Sequence, residues 1–486
     1  MPSFSNLDNP IETPELYETA SQAFSASSGK NPPLLSAVRI RNDDGSTGVH
    51  RNSRHAYGFN TITQSSSPMA RWAHEPPYPH SHPMCFQMKD PIRFGLIGTG
   101  GVGAYHLSVI ESLEKEGLVK LVAATNPVAS EAQSRLQARG VQWYTDYKEM
   151  LQQQNLDAVT IATPIPLHFE MTQACLDRDL FVYLEKPPVP LVRQLDQLIK
   201  ADPDNHVNVG FQMIVSKPVQ MLKSLIMEGR FGRIQEIRAC GCWPRRDSYY
   251  NRASWVGKLT FNGEPVFDGP MTNAFAHVVH NIMYLATPEE GFDTPVSIAG
   301  ELYRARPIES YDTACLRGEL ASGALFSVAV THATQEMLPF KISVNATNGS
   351  ALISDDGAVL ESTHGNLNCP ESTMDLLKTS YDQFAEFIRG ERSRAPTRLS
   401  DALGYVLATS GIKISSCGIK DIDSTLIREY HHGEDRGINV KGLRNIIETS
   451  FSTGRLFSEL GIPWSHKPTP IFYANLEKAM QAEDVR

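Results

Sequence analysis

The chain has 486 residues, 41% of them hydrophobic and 20% charged, and its 45 Lys and Arg against 54 Asp and Glu leave a formal net charge of −9. That length suits two large domains with extra segments, and the composition supports sizeable cores. The acidic balance argues against general nucleic-acid binding, no apolar run reaches a membrane span, and the N-terminus lacks the basic-then-apolar pattern of a secretory signal, so a cytoplasmic protein is expected.

Residues 1–87 are rich in Ser, Pro, Asn and His and lack periodicity, so they read as an irregular or non-native extension. His74, His80 and His82 could bind a metal there only adventitiously. Met88 opens "MKDPIRFGLIGTGG", which reads like a natural start.

From Ile92 the pattern alternates strand and helix. "IRFGLI", "KLVAAT", "DAVTIA", "LFVYL" and "HVNVG" read as buried parallel strands. Between them, helices are predicted over Val102–Glu116, Ser130–Arg139, Tyr147–Gln153, Leu167–Arg178 and Leu191–Ala201. This rhythm implies a doubly wound Rossmann sheet over residues 88–212. After Pro218 the segments "IQEIRACGC", "PVSIAGELYRA", "DTACLRGEL", "ALFSVAVTHA", "PFKISVNAT" and "SALISD" follow one another with turn residues between, so residues 213–416 read as an open, mostly antiparallel sheet domain with helices on one face. Its helices are expected at Asn273–Leu285, Met374–Arg389 and Ser400–Ser415. Residues 417–486 read as a helical extension, with Leu443, Ile446, Ile447 and Phe451 helically spaced over Asn439–Leu460 and Gly454 as a breaker.

The seven cysteines, Cys85, Cys175, Cys240, Cys242, Cys315, Cys369 and Cys417, are odd in number and follow no zinc spacing, so reduced thiols are expected. Cys240 and Cys242 would share one strand face as packing groups.

Gly98-Thr99-Gly100-Gly101-Val102-Gly103 is a G-x-G-x-x-G between a predicted strand and a predicted helix, the context that motif requires. Gly98 permits the tight turn, Gly100 lets backbone approach a pyrophosphate, and Gly103 allows close helix–strand packing, while the helix N-terminus supplies amides and positive dipole. The ribose-binding place at the end of the second strand falls on Asn126. Its neutral amide can bond a ribose hydroxyl without repelling a 2'-phosphate, and Arg135 is the first arginine to follow, so NAD or NADP fits, with a slight lean to NAD.

"IRFGLIGTGGVGAYH", "ATPIPLHFEMTQACL" and "YLEKPPV" resemble the glucose-fructose oxidoreductase, inositol dehydrogenase and rhizopine-catabolism (Gfo/Idh/MocA) family, over about residues 89–416. Glu185-Lys186-Pro187 is the most specific element. The resemblance implies an NAD(P)-dependent oxidoreductase acting on a secondary hydroxyl of a sugar, amino sugar or cyclitol. It places Thr163, Pro164 and His168 near the cofactor ribose, Glu185 and Lys186 at the cofactor, Lys186 also at the reacting hydroxyl, and Gln212 near the nicotinamide. In the family an Asp, a His four residues later and an Asp three residues beyond share a helix. This chain has Asn273, His277 and His280 at those places.

On one helix, i, i+4 and i+7 project from one face, so Lys186, Asn273, His277 and His280 are the candidate catalytic residues. A lysine ammonium can stabilise alkoxide character and His277 can move a proton. Asn273 can orient an imidazole but cannot stabilise its charge. His277 and His280 lack a third ligand by spacing, so no metal is assigned. In the loop before this helix, Asn251, Arg252 and Trp255 are candidate substrate contacts, joined by Asn273 and His277. Two alternatives stand: a redox-neutral glycosidase or lyase using tightly bound NAD, and a non-catalytic dinucleotide-binding regulator. A homo-oligomer formed through the second-domain sheet or the C-terminal extension is expected, with no nucleic-acid or membrane partner.

Overall fold

The strands at the centre of the first sheet are short apolar runs buried on both faces, as a parallel sheet covered by helices demands, and the three-residue strand Gln142–Tyr144 at its edge is half-exposed. In chain order the elements are β1 (Ile92–Ile97), α1 (Val102–Lys115), β2 (Val119–Thr125), α2 (Glu131–Ala138), β3 (Gln142–Tyr144), α3 (Tyr147–Gln153), β4 (Ala158–Ile161), α4 (His168–Leu176), β5 (Phe181–Leu184), α5 (Val192–Ala201) and β6 (Val207–Val209). The computed structural model describes residues 91–128, 131–363, 365–370 and 375–472. The expectations for residues 1–87, Met88, and the starts of helices at Ser130 and Met374 lie outside these. All pairings in this sheet are parallel, in the order β3-β2-β1-β4-β5-β6. The order reverses between β1 and β4, so the carboxyl ends of these strands form the crevice where such sheets bind ligands.

The second half begins with α6 (Lys217–Met227) and β7 (Ile234–Cys242), then α7 (Asp247–Asn251), the two-residue strands β8 (Thr260–Phe261) and β9 (Glu264–Pro265), and α8 (Ala276–Leu285). It continues with β10 (Pro295–Arg304), β11 (Thr313–Leu320), β12 (Leu325–Thr331), β13 (Leu338–Ala346), β14 (Gly349–Ser354), β15 (Gly357–Ser362), β16 (Gly365–Pro370), α9 (Leu376–Ile388) and α10 (Leu403–Ser415). The extension adds β17 (Lys420–Asp421), β18 (Ile427–His432), β19 (Asp435–Val440), α11 (Leu443–Thr453) and β20 (Ile471–Phe472). The large sheet has ten strands, mostly antiparallel, in the order β16-β15-β14-β13-β7-β12-β11-β10-β17, with β20 also pairing β10. Its β10 edge is thus closed by two short segments of the extension, whereas β16 pairs on one side only among the described residues.

β7 shows why this sheet is buried on both faces. Ile237 and Ala239 join the main core, while a Cβ added to Gly241 would lie 2.3 Å from the Phe275 ring. Cys240 and Cys242, one step out of phase, join a second cluster with Leu443, Ile447, Leu456 and Phe457 of the extension. A carboxylate anchors that layer: buried Glu301 accepts from Tyr303 Oη at 2.6 Å and from the Ser458 backbone amide and hydroxyl. One surface expected to join two copies, the outer face of this sheet, is therefore covered by the chain's own extension.

The extension is less helical than its sequence suggests. Asn439 and Val440 end a hairpin, β18–β19, and helix begins only at Leu443, after Gly442 in the left-handed region (φ 79°). Gly454 (φ 68°) ends it. Helix α9 crosses back to the first domain, where Leu377, Tyr381, Phe384 and Ile388 complete the core over β1 and β2. This packing joins the two domains.

Candidate active site

The turn after β1 has the backbone that the glycine spacing predicts. A Cβ on Gly98 (φ 90°) would lie 2.4 Å from the Ala162 carbonyl oxygen, and one on Gly103 would lie 2.2 Å from that of Gly98, so both positions require glycine. A Cβ on Gly100 or Gly101 would meet nothing within 4 Å, which leaves open space where a ligand's backbone approach is needed. Helix α1, starting at Val102, has neither an acidic first turn nor a side-chain cap, so its dipole is unopposed toward an anion. At the end of β2, Asn126 donates its amide nitrogen to the Val128 carbonyl at 2.7 Å, which turns its amide oxygen into the group available to a ribose hydroxyl. Across the crevice the Gln212 side chain is buried and its Oε1 has no partner, an unfilled acceptor that suits the carboxamide of a nicotinamide. These features fit a dinucleotide.

Lys186 follows β5 and is held from two sides. Glu185 is buried. It accepts from the Lys186 backbone amide at 3.0 Å and is paired with His106 Nε2 at 2.9 Å. His106 Nδ1 contacts Tyr381 Oη at 2.8 Å, which contacts Thr160 Oγ1 at 2.8 Å. Burial pushes the Glu185 carboxyl up, but the His106 hydrogen bond and the nearby His106, Lys186 and His168 charges outweigh it and hold the carboxyl below its ordinary value. The Glu185 carboxylate is therefore engaged within the protein, and positions the Lys186 backbone instead of offering itself to a cofactor. His168 is likewise committed. Its Nδ1 lies 2.9 Å from the Pro187 carbonyl oxygen and its Nε2 2.9 Å from that of Thr163, and burial lowers its pKa. As a neutral ring it donates to one of these carbonyls and packs against the other, so it sits between the Thr163–Pro164 turn and the Lys186–Pro187 strap with both nitrogens turned toward backbone and away from a ribose.

The Lys186 side chain reaches the second domain. Nζ donates to the Asn273 carbonyl oxygen at 3.1 Å and to Asn273 Oδ1 at 3.4 Å. Asn273 does not lie on the helix, contrary to the spacing argument: it is in the turn before it, where the Phe275 amide bonds the Pro270 carbonyl at 2.8 Å, and helix α8 starts at Ala276. His277, buried, opens that helix and meets the Phe211 ring edge-on with centroids 5.9 Å apart, next to Gln212 in sequence. Lys186, Asn273, His277 and Gln212 thus converge at one end of the crevice.

His280 is a correction. Its ring is fully buried, stacked on Phe211 at 3.9 Å and 3° and packed against Phe292 at 4.7 Å, and neither ring nitrogen has a partner. One turn of helix carries it past the crevice into the core. Burial pushes its pKa down to about 3. The sign follows: below an ordinary histidine pKa of about 6.5 the unfolded chain takes up a proton that the folded chain refuses, so stability is lost as pH falls from there toward about 3. Replacing His280 by Phe, which keeps the stack, is expected to leave turnover near that of the parent and to shrink the fall in Tm between about pH 7.5 and pH 5. Thermal melts at the two pH values check it, and an unchanged fall would refute the assignment.

In the preceding loop, Tyr249 is buried and its hydroxyl accepts from Asn273 Nδ2 at 3.3 Å. The Arg252 guanidinium lies over the Tyr249 ring at 4.1 Å and the Trp255 ring at 5.7 Å, so Arg252 and Trp255 extend one aromatic–cationic wall from Tyr249. Asn251 is exposed and belongs elsewhere, to a surface cleft of about 560 Å³ shared with Lys258, Arg304 and Glu309. Sequence reasoning missed Asp268, whose buried carboxylate accepts from Asn273 Nδ2 at 3.0 Å and from the Gly257 amide at 2.7 Å. An acid five residues before Asn273 was its only signal. His106 and Tyr381 were missed too, since nothing local in sequence links positions 275 apart. Among the described residues no group of three or more His, Cys, Asp or Glu side chains is placed to hold a metal, and no helix is long and apolar enough to cross a membrane.

Residues 92–212 match the family model described as an oxidoreductase family with an NAD-binding Rossmann fold, and residues 219–352 match that of the GFO/IDH/MocA C-terminal domain. The inositol 2-dehydrogenase/D-chiro-inositol 3-dehydrogenase of Halalkalibacterium halodurans is 30% identical over 154 residues, which cover 30% of this chain and 43% of that protein. The inositol 2-dehydrogenase of Salmonella typhimurium is 26% identical over 147 residues, again covering 43% of its length. The chain thus matches less than half the length of these curated relatives. Among solved structures, the WlbA dehydrogenase of Bordetella pertussis in complex with NADH and UDP-GlcNAcA is 25% identical, with a TM-score of 0.57 over 67% of this chain and 97% of that one. A levoglucosan dehydrogenase in complex with NADH and L-sorbose, 17% identical with a TM-score of 0.57 over 67% of this chain and 97% of that one, shares the fold. With the parallel-sheet half and the mixed-sheet half each matched in turn, over residues that also carry the glycine turn and the Lys186 strap, the chain belongs to the Gfo/Idh/MocA oxidoreductase family.

Proposed function

We propose that this protein transfers hydride between NAD and a secondary hydroxyl of a sugar-like or cyclitol substrate. The carrying observation is the Lys186 ammonium held 3.1 Å from the Asn273 carbonyl, in the turn four residues before His277. The residues suited to hold the cofactor are Gly98, Gly100, Gly101, Val102 and Gly103 at the pyrophosphate, Asn126 at the adenosine ribose, Thr163 and Pro164 along the crevice, and Gln212 at the carboxamide. When bound, the nicotinamide ring supplies the hydride acceptor. Lys186 donates to the reacting oxygen and stabilises its developing negative charge. His277 takes the hydroxyl proton, and Asn273 fixes the position of the ammonium. Arg252 and Trp255 form the wall against which a sugar ring would pack.

The sugar-nucleotide ligand of the Bordetella pertussis relative and the cyclitol names of the curated relatives make uridine diphosphate sugars and inositols the first substrates to try. Purified protein with NAD and such a panel is expected to show substrate-dependent absorbance at the reduced-nicotinamide band. Bound cofactor with no turnover across sugars, sugar nucleotides and polyols would overturn the reading. What favours the redox-neutral alternative is the departure from the two acids that the family resemblance implies at 273 and 280, and burial of His280 in the core removes the second of these supports. Product formed without net cofactor reduction would favour it.

A further inference from the structure

The residue at 273 is neutral, yet a full carboxylate stands directly behind it. Asp268 is 2% exposed. Its Oδ2 accepts from the Gly257 amide at 2.7 Å and its Oδ1 from Asn273 Nδ2 at 3.0 Å, while Asn273 Oδ1 accepts from Lys186 Nζ at 3.4 Å. The three residues form a chain in which each of these donors meets an acceptor. An ionised carboxylate only accepts and an ammonium only donates. Between them, the Asn273 amide has one permitted orientation, nitrogen toward Asp268 and oxygen toward Lys186.

We propose that Asp268 is a positioning residue of the hydride-transfer site, acting through the Asn273 amide to hold the Lys186 ammonium at the reacting hydroxyl. This rests on the oxidoreductase reading above. The negative charge that the family resemblance leads one to expect at position 273 stands here one side chain further back, at Asp268. Asn273 transmits it as a polarised amide, and its nitrogen also donates to Tyr249 Oη at 3.3 Å, tying the loop wall to the same chain.

The arrangement makes an unusual demand on the isosteric substitution D268N. The Gly257 amide still needs an acceptor, so the new side chain must turn its oxygen there and its NH2 toward Asn273. Asn273 must then flip, and its own NH2 faces the Lys186 ammonium, donor against donor. D268N is expected to lower kcat about ten- to a hundred-fold, the scale of a lost hydrogen bond to a charged group. KM for NAD and dinucleotide affinity should stay near the parent values. The reciprocal exchange D268N/N273D has the same atoms with the carboxylate moved one side chain forward. The amide now donates to the new carboxylate, which accepts from Lys186, and kcat is expected to recover most of the loss.

Steady-state kinetics on the full chain reads both variants. The rate of reductive methylation of Lys186, followed by peptide mass spectrometry, reads the same chain of contacts without cofactor or substrate: faster in D268N, slowed again in the double variant. Parent-like kcat in D268N, or a folded double variant no better than D268N in either measurement, overturns the proposal. If D268N alone does not fold, the double variant, which keeps the buried charge, must by itself be active and protected at Lys186. A parent chain without turnover sinks the oxidoreductase reading instead, and the methylation rates still decide whether Asp268 governs Lys186.

Discussion

Replacing Lys186 by Met is expected to lower kcat by about 10²- to 10³-fold, the cost of losing one preorganised donor to a developing oxyanion. Dinucleotide affinity should change only a few-fold, because the glycine turn, Asn126 and Gln212 are untouched. The local fold should survive. When the ammonium goes, the Asn273 carbonyl still accepts from the Ala276 amide at 3.2 Å, and Glu185 still binds the backbone amide of residue 186. Methionine keeps most of the apolar stem of the side chain, so a large drop in Tm is not expected. Stopped-flow reduction of NAD separates hydride transfer from binding, and a variant that turned over at the parent rate would move the proton and charge chemistry away from this lysine altogether.

Ending the chain after Ser416 is expected to abolish a soluble, cooperatively folded protein. The removed segment supplies Ile438, Val440, Leu443, Ile447, Leu456 and Phe457 to one cluster with Cys240, Cys242, Tyr303 and Cys315 of the sheet. Fully burying each such aliphatic or aromatic side chain is worth about 1.5–3 kcal/mol, so six of them rival the roughly 5–15 kcal/mol that holds a domain together. The Glu301 carboxylate would also lose its bonds from Ser458, leaving a poorly satisfied buried charge. A milder version is Phe457→Ala, expected to cost about 3–5 kcal/mol. Soluble expression and thermal melts test both. A truncated protein melting at the parent temperature would show that the layer is dispensable.

Five of the six strands of the first domain were legible because they are short apolar runs between helical patterns, whereas β3 was missed, its three residues Gln142–Tyr144 being neither apolar throughout nor buried. The glycine turn then had a single place to lie, and its steric demands at Gly98 and Gly103 follow from contacts with the Ala162 carbonyl and between the two glycines. The second sheet was legible as far as β14 (Gly349–Ser354). Strands β15 and β16 were not, since "GAVLES" and "GNLNCP" are short and only half apolar. The hairpin Ile427–Val440 was also missed. Its charged, His-rich strands carry little alternation, and its cue was the two-residue turn at Gly433-Glu434, with Gly433 in the left-handed region (φ 61°).

At the site, sequence pointed to Lys186, Asn273, His277 and Gln212, which the fold brings together. It misjudged His280, because helical spacing gives an angle around an axis and not what the far side touches. With the axis starting only at Ala276, Asn273 and His280 do not share its face. Asp268 and His106 were invisible for a different reason. Their roles arise from contacts with Asn273, Glu185 and Tyr381: the first depends on the path of the turn before α8, the second joins residues 79 apart across the parallel sheet, and only the third needs the two domains docked.

The unequal edges of the ten-stranded sheet constrain how copies of this protein can join. At β10, Ser297 and Ile298 pair with β20 and Tyr303 and Arg304 with β17, so the margin is covered near both ends. At the opposite margin, Gly365–Pro370 pairs only with β15 among the described residues. Among the described residues the open margin of this sheet is β16, and it carries few of the charges that usually discourage strand-to-strand growth. Two molecules pairing there antiparallel would each use up that margin of the ten-stranded sheet, an isologous contact that closes on itself.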